Sequence, residues 1–278
     1  VTHLSPNGNA GTPVHRVVLV CGGASGALVA LHLLRSLAAG PRVDLTLLDP
    51  SPSLGDGVAY GTRDDAHLIN VLVGRMGAVP EEPGDFLAWL QASGHSARAG
   101  SFVPRALFGA YLREWLAGVE AAAPAGVQLQ HARRRAVDLQ RMPGGWRAVD
   151  DAGGCWDAEA VVLATGQGPA PPPPGWQVER LGAAWLESPR GTPGLGAVPE
   201  REDVLLLGTG LTAVDAVLTL ARRRHRGRVL AVSRHGRWPL VHDPLAPEAP
   251  AASPGMSLRA ALRVVRAQAL RGDGRASV

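Results

Sequence analysis

The stretch VVLVCGGASG, Val17 to Gly26, restricts what this chain can become more than any other. An apolar, β-branched run stops abruptly at small residues, and the following ALVALHLLRSL repeats its apolar residues at helical spacing. A strand, a tight turn and a helix in that order aim free N–H groups and the positive dipole end of the helix at one point. Glycine in the turn lets a pyrophosphate approach the backbone. The turn therefore reads as a dinucleotide site. In the pattern G-x-G-x-x-G, Cys21 occupies the first glycine position and Gly23 and Gly26 the second and third, with Gly22 and Ser25 between them. The first glycine serves the tight turn, so Cys21 requires one that tolerates a Cβ. Glycines alone fit a merely packed strand-helix turn equally well. Asp49 shifts the balance: it ends the next apolar run, VDLTLLD, 23 residues after Gly26, where a carboxylate can accept hydrogen bonds from an adenosine ribose.

With 278 residues, 46% of them hydrophobic, the chain can build one large domain or two modest ones. No apolar stretch approaches membrane length, and VTHLSPNGNAGTP has neither the basic region nor the apolar core of a secretion signal. A soluble cytoplasmic protein with a loose leader over residues 1–13 is expected, without membrane partners. Cys21 and Cys155 form no C-x-x-C pair, which excludes a local redox disulfide. All 28 basic residues are arginine, which excludes lysine catalysis. No metal site is expected.

After Asp49, PSPSLGDGVAYGTRDDAHLINVLVGRMGAVP has little periodicity, yet Val58, Tyr60, Leu68, Ile69, Val71 and Met76 are residues that favour burial. It is either a structured cover over the sheet edge or a segment placing Gly55, Gly57, Tyr60, His67, Asn70 and Arg75 against a bound ligand. Helices are expected at EPGDFLAWL and at PRALFGAYLREWLAGV, Pro104 to Val119. The period then shortens. VQLQHARR, AVDLQRM, GWRAVDD and AEAVVLATG suggest a return to the parallel sheet plus an antiparallel meander. VVLATG carries Thr165 and Gly166, and the prolines after it read as a stiff connector, either a domain hinge or a proline-rich ligand.

A second unit, DVLLLGTGLTAVDAVLTLARRRHRGRVLAVSRHG, follows. Strand Val204 to Leu207 runs into Gly208-x-Gly210-x-x-Ala213, through Leu211 and Thr212, then a helix to about Arg224 and a strand ending at Ser233-Arg234. A carboxylate at that place favours a free ribose 2′-hydroxyl, whereas arginine can grip a 2′-phosphate. The contrast predicts FAD in the first unit and NADP in the second. The cluster RRRHRGR, Arg222 to Arg228, falls at a helix C-terminus with Gly227 as the expected cap and no interleaved aromatics, so no nucleic-acid partner is expected.

CGGASG, LGDGVAYGT, HLINV followed by Arg75-Met76, FVPRALFGAYL, VVLATG, LLLGTGLTAVDAVLTL and VSRHGRWP, in that order, resemble the bacterial FAD/NAD(P)-binding family of two-dinucleotide-binding flavoproteins that includes FAD-dependent urate hydroxylases and aspartate N-monooxygenases. The resemblance covers roughly Val14 to Leu270 and departs at Cys21 and at Ala66, where proline is common. It implies an α/β fold of two Rossmann-like units, each a doubly wound parallel sheet, with a small antiparallel meander. It further implies a monooxygenase cycle in which NADPH reduces FAD, the reduced flavin reacts with oxygen, and one oxygen atom passes to a small-molecule substrate. The alternatives are an FAD/NADPH reductase without oxygen insertion and a non-catalytic nucleotide-binding homologue or partner subunit. The implied divisions are a FAD-binding domain at 14–167, a proline-rich hinge and connector at 168–202, and a partial NADP-binding domain with the start of a helical section at 203–278. Family members continue further, so the second unit is expected to be incomplete, with a second polypeptide as one way to complete it. Asn70 and Arg75 are the implied polar contacts to isoalloxazine or substrate, and His67 is a catalytic candidate or a structural hydrogen-bonder.

Overall fold

The computed structural model describes residues 14–37, 42–168, 170–189, 194–241 and 255–271. The expected leader, 1–13, lies outside them. The chain divides into two compact units, Val1–Arg190 and Gly191–Val278, with the division inside the proline-rich stretch.

In the first unit, β1 (Val14–Val20), α1 (Ala24–Ser36) and β2 (Arg42–Leu48) form the expected βαβ, followed by a one-turn helix, α2 (Gly57–Tyr60). Helices α3 (Asp85–Ala92) and α4 (Arg105–Ala121) come next, then β3 (Val127–Ala132), β4 (Ala136–Met142), β5 (Gly145–Asp150), β6 (Cys155–Ala158) and β7 (Ala160–Leu163). The parallel sheet has the order β3-β2-β1-β7, and β4-β5-β6 form the antiparallel meander.

Alternation along β1 sorts its side chains between two layers. Leu19 packs with Leu31, Phe86, Phe108 and Tyr111 of the helices, while Val18 and Val20 pack with Ala148 and Ala158 of the meander. The sheet is thus covered on both faces, which is what a parallel sheet of apolar runs requires. The strand order reverses direction at β1, so its carboxyl end is a crevice where ligands bind in such sheets.

In the second unit, β8 (Val204–Leu207), α5 (Leu211–Arg222) and β9 (Val229–Val232) make a parallel pair with a crossover helix, and α6 (Leu258–Arg271) follows. The three elements of the expected second βαβ are present. Leu205, Leu207, Leu230 and Val232 lie on one face of this pair and are 42–61% exposed. The end of α5 differs from expectation. Arg224, not Gly227, takes the left-handed turn (φ 58°), with Arg224 N–H donating to Ala221 O and His225 N–H to Leu220 O, a paired closure of the last helical carbonyls. Gly227 is required elsewhere, because a Cβ there would overlap the Glu202 carbonyl. Arg226 and Arg228 pair with Glu200 and Asp203, and Arg223 donates to the Leu195 and Gly196 carbonyls, so much of the basic cluster is engaged within its own unit.

Candidate dinucleotide sites

Cys21 follows the last residue of β1 and adopts φ 75°, the left-handed conformation that its glycine position demands. Its N–H donates to Leu48 O at 2.9 Å, continuing the ladder into the turn. Burial and the Asp49 charge push the Cys21 thiol up, with Arg135 opposing them. Gly26 lies directly beneath: a Cβ there would overlap the Cys21 carbonyl oxygen and would stand 3.6 Å from Ala164 at the end of β7. Thr165 and Gly166, which follow Ala164, are exposed, and so is Ser25 in the first turn of α1. The N-cap of α1 is Gly23, with no side-chain cap, so its first amides are left for another partner.

Asp49 is buried at 7% exposure, and its carboxylate is fixed by the backbone: Gly22 N–H donates to Oδ2 at 2.6 Å and Ser51 N–H to Oδ1 at 2.7 Å. Each oxygen retains acceptor capacity for a further hydrogen bond. His131 Nε2 lies 3.1 Å from the Asp49 carbonyl on the adjacent strand.

The segment after Asp49 is a structured cover. Gly55 N–H donates to Gly22 O at 2.7 Å, and a Cβ on Gly57 (φ 51°) would lie 3.0 Å from Gly23 Cα, so two glycines let the cover rest on the turn. Asp56 holds it down, accepting from Arg113 on α4 and from Ser53 Oγ at 2.8 Å. Neither Asp56 nor Arg113 was distinguished by local pattern; only the fold brings them together. Tyr60 packs on Phe108 at 4.9 Å between ring centroids, and Met76 packs against the main core. Val58, by contrast, is 70% exposed, because α2 meets the turn through its glycine backbone and turns this side chain outward. Leu68 and Val71 are also exposed, whereas Ile69 is buried.

His67 is buried and bonded to Thr62 Oγ1 at 2.8 Å, with Asp64 3.7 Å from its other ring nitrogen. These contacts tie the ring to Thr62 and Asp64 within the cover. Asn70 and Arg75 are exposed on the cover. Further along, Ala78 N–H donates to Tyr111 Oη at 2.7 Å while that hydroxyl donates to Asp85. Burial and the Asp85 bond push the Tyr111 hydroxyl up, keeping it a donor that ties the cover to α3 and α4.

The second unit repeats the arrangement. Gly208 takes φ 107° at the position matching Cys21, Gly210 is the uncapped N-cap of α5, and Ala213 replaces Gly26. Leu211 and Thr212 are exposed in the first turn. Register pairs Leu207 with Val232 as it pairs Val20 with Leu48, so Ser233 corresponds to Asp49 and Thr209 to Gly22. Thr209 Oγ1 lies 2.9 Å from Ser233 Oγ, where Gly22 and Asp49 are joined in the first unit. Arg234 follows, exposed.

Comparison with known proteins agrees with this geometry. The model of an FAD-NAD(P)-binding family matches residues 18–168, from within β1 to just beyond the A-T-G turn. The chain belongs to this family. The family is described as FAD-NAD(P)-binding, and the matched residues include the Cys21 turn and Asp49. No curated protein sequence matches the chain. Among solved structures it is similar to a variant flavin monooxygenase from Stenotrophomonas maltophilia, with 19% identity over 78% of this chain and 56% of that one and a TM-score of 0.50. It is also similar to the ornithine hydroxylase of Pseudomonas aeruginosa, at 16% identity, 79% and 54% coverage and a TM-score of 0.55. The S-allyl-L-cysteine S-oxygenase of Allium sativum gives 18% identity, 88% and 54% coverage and a TM-score of 0.50. These likenesses show a shared fold, and the chain spans little more than half the length of each. Among the described residues no helix is long and apolar enough to cross a membrane.

Proposed function

We propose that the chain is the dinucleotide-binding portion of an NADPH-using flavin monooxygenase that acts on a small molecule. The observation that carries the reading is the pair of equivalent strand-turn-helix sites, one closed by a fixed carboxylate at Asp49 and the other by Ser233 and Arg234.

The residues of the first turn fit FAD. The start of α1 has no side-chain cap, Ser25 is open, and Asp49 is preset by two backbone donors. In this reading the amides around Gly23 and Ser25 meet the pyrophosphate, and Asp49 accepts from ribose hydroxyls. Gly22, Gly26, Thr165 and Gly166 shape the approach. Tyr60, Asn70, Arg75 and Met76 on the cover are the candidates for the flavin side and the substrate. When bound, FAD supplies the redox chemistry, taking reducing equivalents from NADPH and passing them to oxygen.

In the second unit Gly208, Gly210, Leu211 and Thr212 form the matching turn for NADP. Arg234, one residue beyond Ser233 at the position of Asp49, presents a cation at that end of the sheet, where a carboxylate would repel a 2′-phosphate. Replacing Arg234 with Ala raises KM for NADPH much more than KM for NADH; equal effects on both would overturn the NADP assignment. Titration of the protein with FAD, followed through the flavin absorbance bands, tests the first site independently. Product analysis then separates oxygen insertion from a reductase that yields only hydrogen peroxide.

A further inference from the structure

The hydroxyl of Thr209 does something that no glycine at its position could do. Thr209 is 8% exposed, and its Oγ1 contacts both Ser233 Oγ and the Arg237 carbonyl. A carbonyl only accepts, so the single Thr209 proton goes to Arg237 O. The Ser233 hydroxyl then donates to Thr209, and Ser233 Oγ accepts from Gly236 N–H at 3.0 Å. The bonds form one directed chain, Gly236 to Ser233 to Thr209 to Arg237, which closes residues 233–237 into a loop with Gly236 at φ 61°. Arg234, His235 and Arg237 project from that loop, all exposed.

We infer that Thr209 is a positioning residue for 2′-phosphate recognition. It acts through the loop backbone, presetting Arg234 and Arg237 before any nucleotide arrives. Long cationic side chains on an unfixed loop lose affinity to ordering entropy, and prior fixation of the backbone removes part of that loss. The inference rests on the NADP reading of the second unit and adds a residue to it that touches no nucleotide itself.

The test measures binding of adenosine 2′,5′-bisphosphate and adenosine 5′-monophosphate to the full chain by titration calorimetry. The wild type prefers the bisphosphate, Thr209→Val lowers that preference about tenfold, the effect of one lost charge-positioning hydrogen bond, and Thr209→Ser restores it. A Thr209→Val protein that keeps the wild-type preference overturns the role of Thr209 while leaving the NADP reading intact. A wild type that binds both probes equally overturns both. Amide exchange at Gly236, read without nucleotide, rises in Thr209→Val and stays low in Thr209→Ser. Should Thr209→Val not fold, Ser233→Ala interrupts the same chain at a part-exposed position, and unchanged Gly236 exchange there overturns the proposal.

Discussion

At Cys21 and at Gly208 the backbone enters the left-handed region at equivalent points of two strand-turn-helix units, with φ of 75° and 107°. The crowding and the partners of the two turns differ. A Cβ at Gly26 would strike the carbonyl of Cys21, and the neighbouring Gly23 is roofed by Gly57. In the second unit Ala213 fills the position of Gly26, and a Cβ at Gly208 or Gly210 would meet nothing within 4 Å. The acidic partner of the first turn is held by two amides, whereas the neutral partner of the second belongs to a chain of hydroxyls. One backbone design therefore carries a tightly enclosed site and an open one. The residues after the second strand set the charge of each site: Asp49 in the first, and in the second Arg234, one place beyond the neutral Ser233.

The largest expected effect separates the two turns by crowding. Gly26→Ala destabilises the first unit by about 3 kcal/mol, the upper range for overpacking, because the Cys21 carbonyl it meets belongs to the peptide whose N–H, on Gly22, is bonded to Asp49. The opposite exchange, Ala213→Gly, costs no more than about 1 kcal/mol, the difference in helix propensity. Denaturant unfolding monitored by unit-resolved amide exchange checks both, and comparable losses would erase the distinction.

Removing the partners comes next. Asp49→Ala leaves the buried Gly22 amide without its acceptor and costs about 2 kcal/mol, whereas Ser233→Ala costs about 1 kcal/mol, since only neutral bonds are lost. The same exchange experiment reads both. Equal losses would show that the charge on Asp49 adds nothing to its turn.

Relieving the left-handed conformation has a smaller effect. A non-glycine residue there costs roughly 1–2 kcal/mol, and the extra chain entropy of glycine returns roughly 0.5–1 kcal/mol of it. Cys21→Gly thus stabilises the first unit by less than about 1 kcal/mol, and Gly208→Cys destabilises the second by a similar amount. A fall in stability on Cys21→Gly would mean that the thiol contributes packing the turn cannot lose.

The smallest effect is chemical. The Cys21 thiol lies above its ordinary value through burial and the Asp49 charge, so its thiolate fraction at mildly alkaline pH is low. Cys155 is exposed on the meander and alkylates first. Raising the pH through the ordinary thiol range leaves Cys21 slow to label. Equal labelling rates would place Cys21 in a more open turn.

Much of this frame was legible in the sequence because it rests on local rules. The apolar runs ending at Cys21, Asp49, Gly208 and Ser233 fixed both βαβ units, and the change of period after Val127 marked the meander. The site was legible only where chemistry and backbone coincide, at the glycines and at Asp49. Asp56 and Arg113 stand 57 positions apart and meet only through the packing of α4 on the cover, which no local pattern encodes. The Thr209 relay leaves no local trace for a different reason: threonine in a G-x-G turn satisfies the motif without any partner, and its bond to Arg237 spans 28 positions. Similarly, Gly227 resembled a helix cap, yet its lack of a Cβ serves the Glu202 backbone while Arg224 bears the left-handed turn.

The bare face of β8 and β9, with Leu205, Leu207, Leu230 and Val232 in contact with solvent, has a consequence for how the second unit opens. A two-stranded sheet holds itself together poorly in water, so its amides exchange through frequent local opening, well before those of the covered four-stranded sheet. Any nucleotide that binds only the closed form then draws the unit toward closure in proportion to the logarithm of its concentration. Occupancy of the second turn and integrity of its sheet become a single equilibrium, in which slowed hydrogen exchange at β9 reports the arrival of ligand at β8.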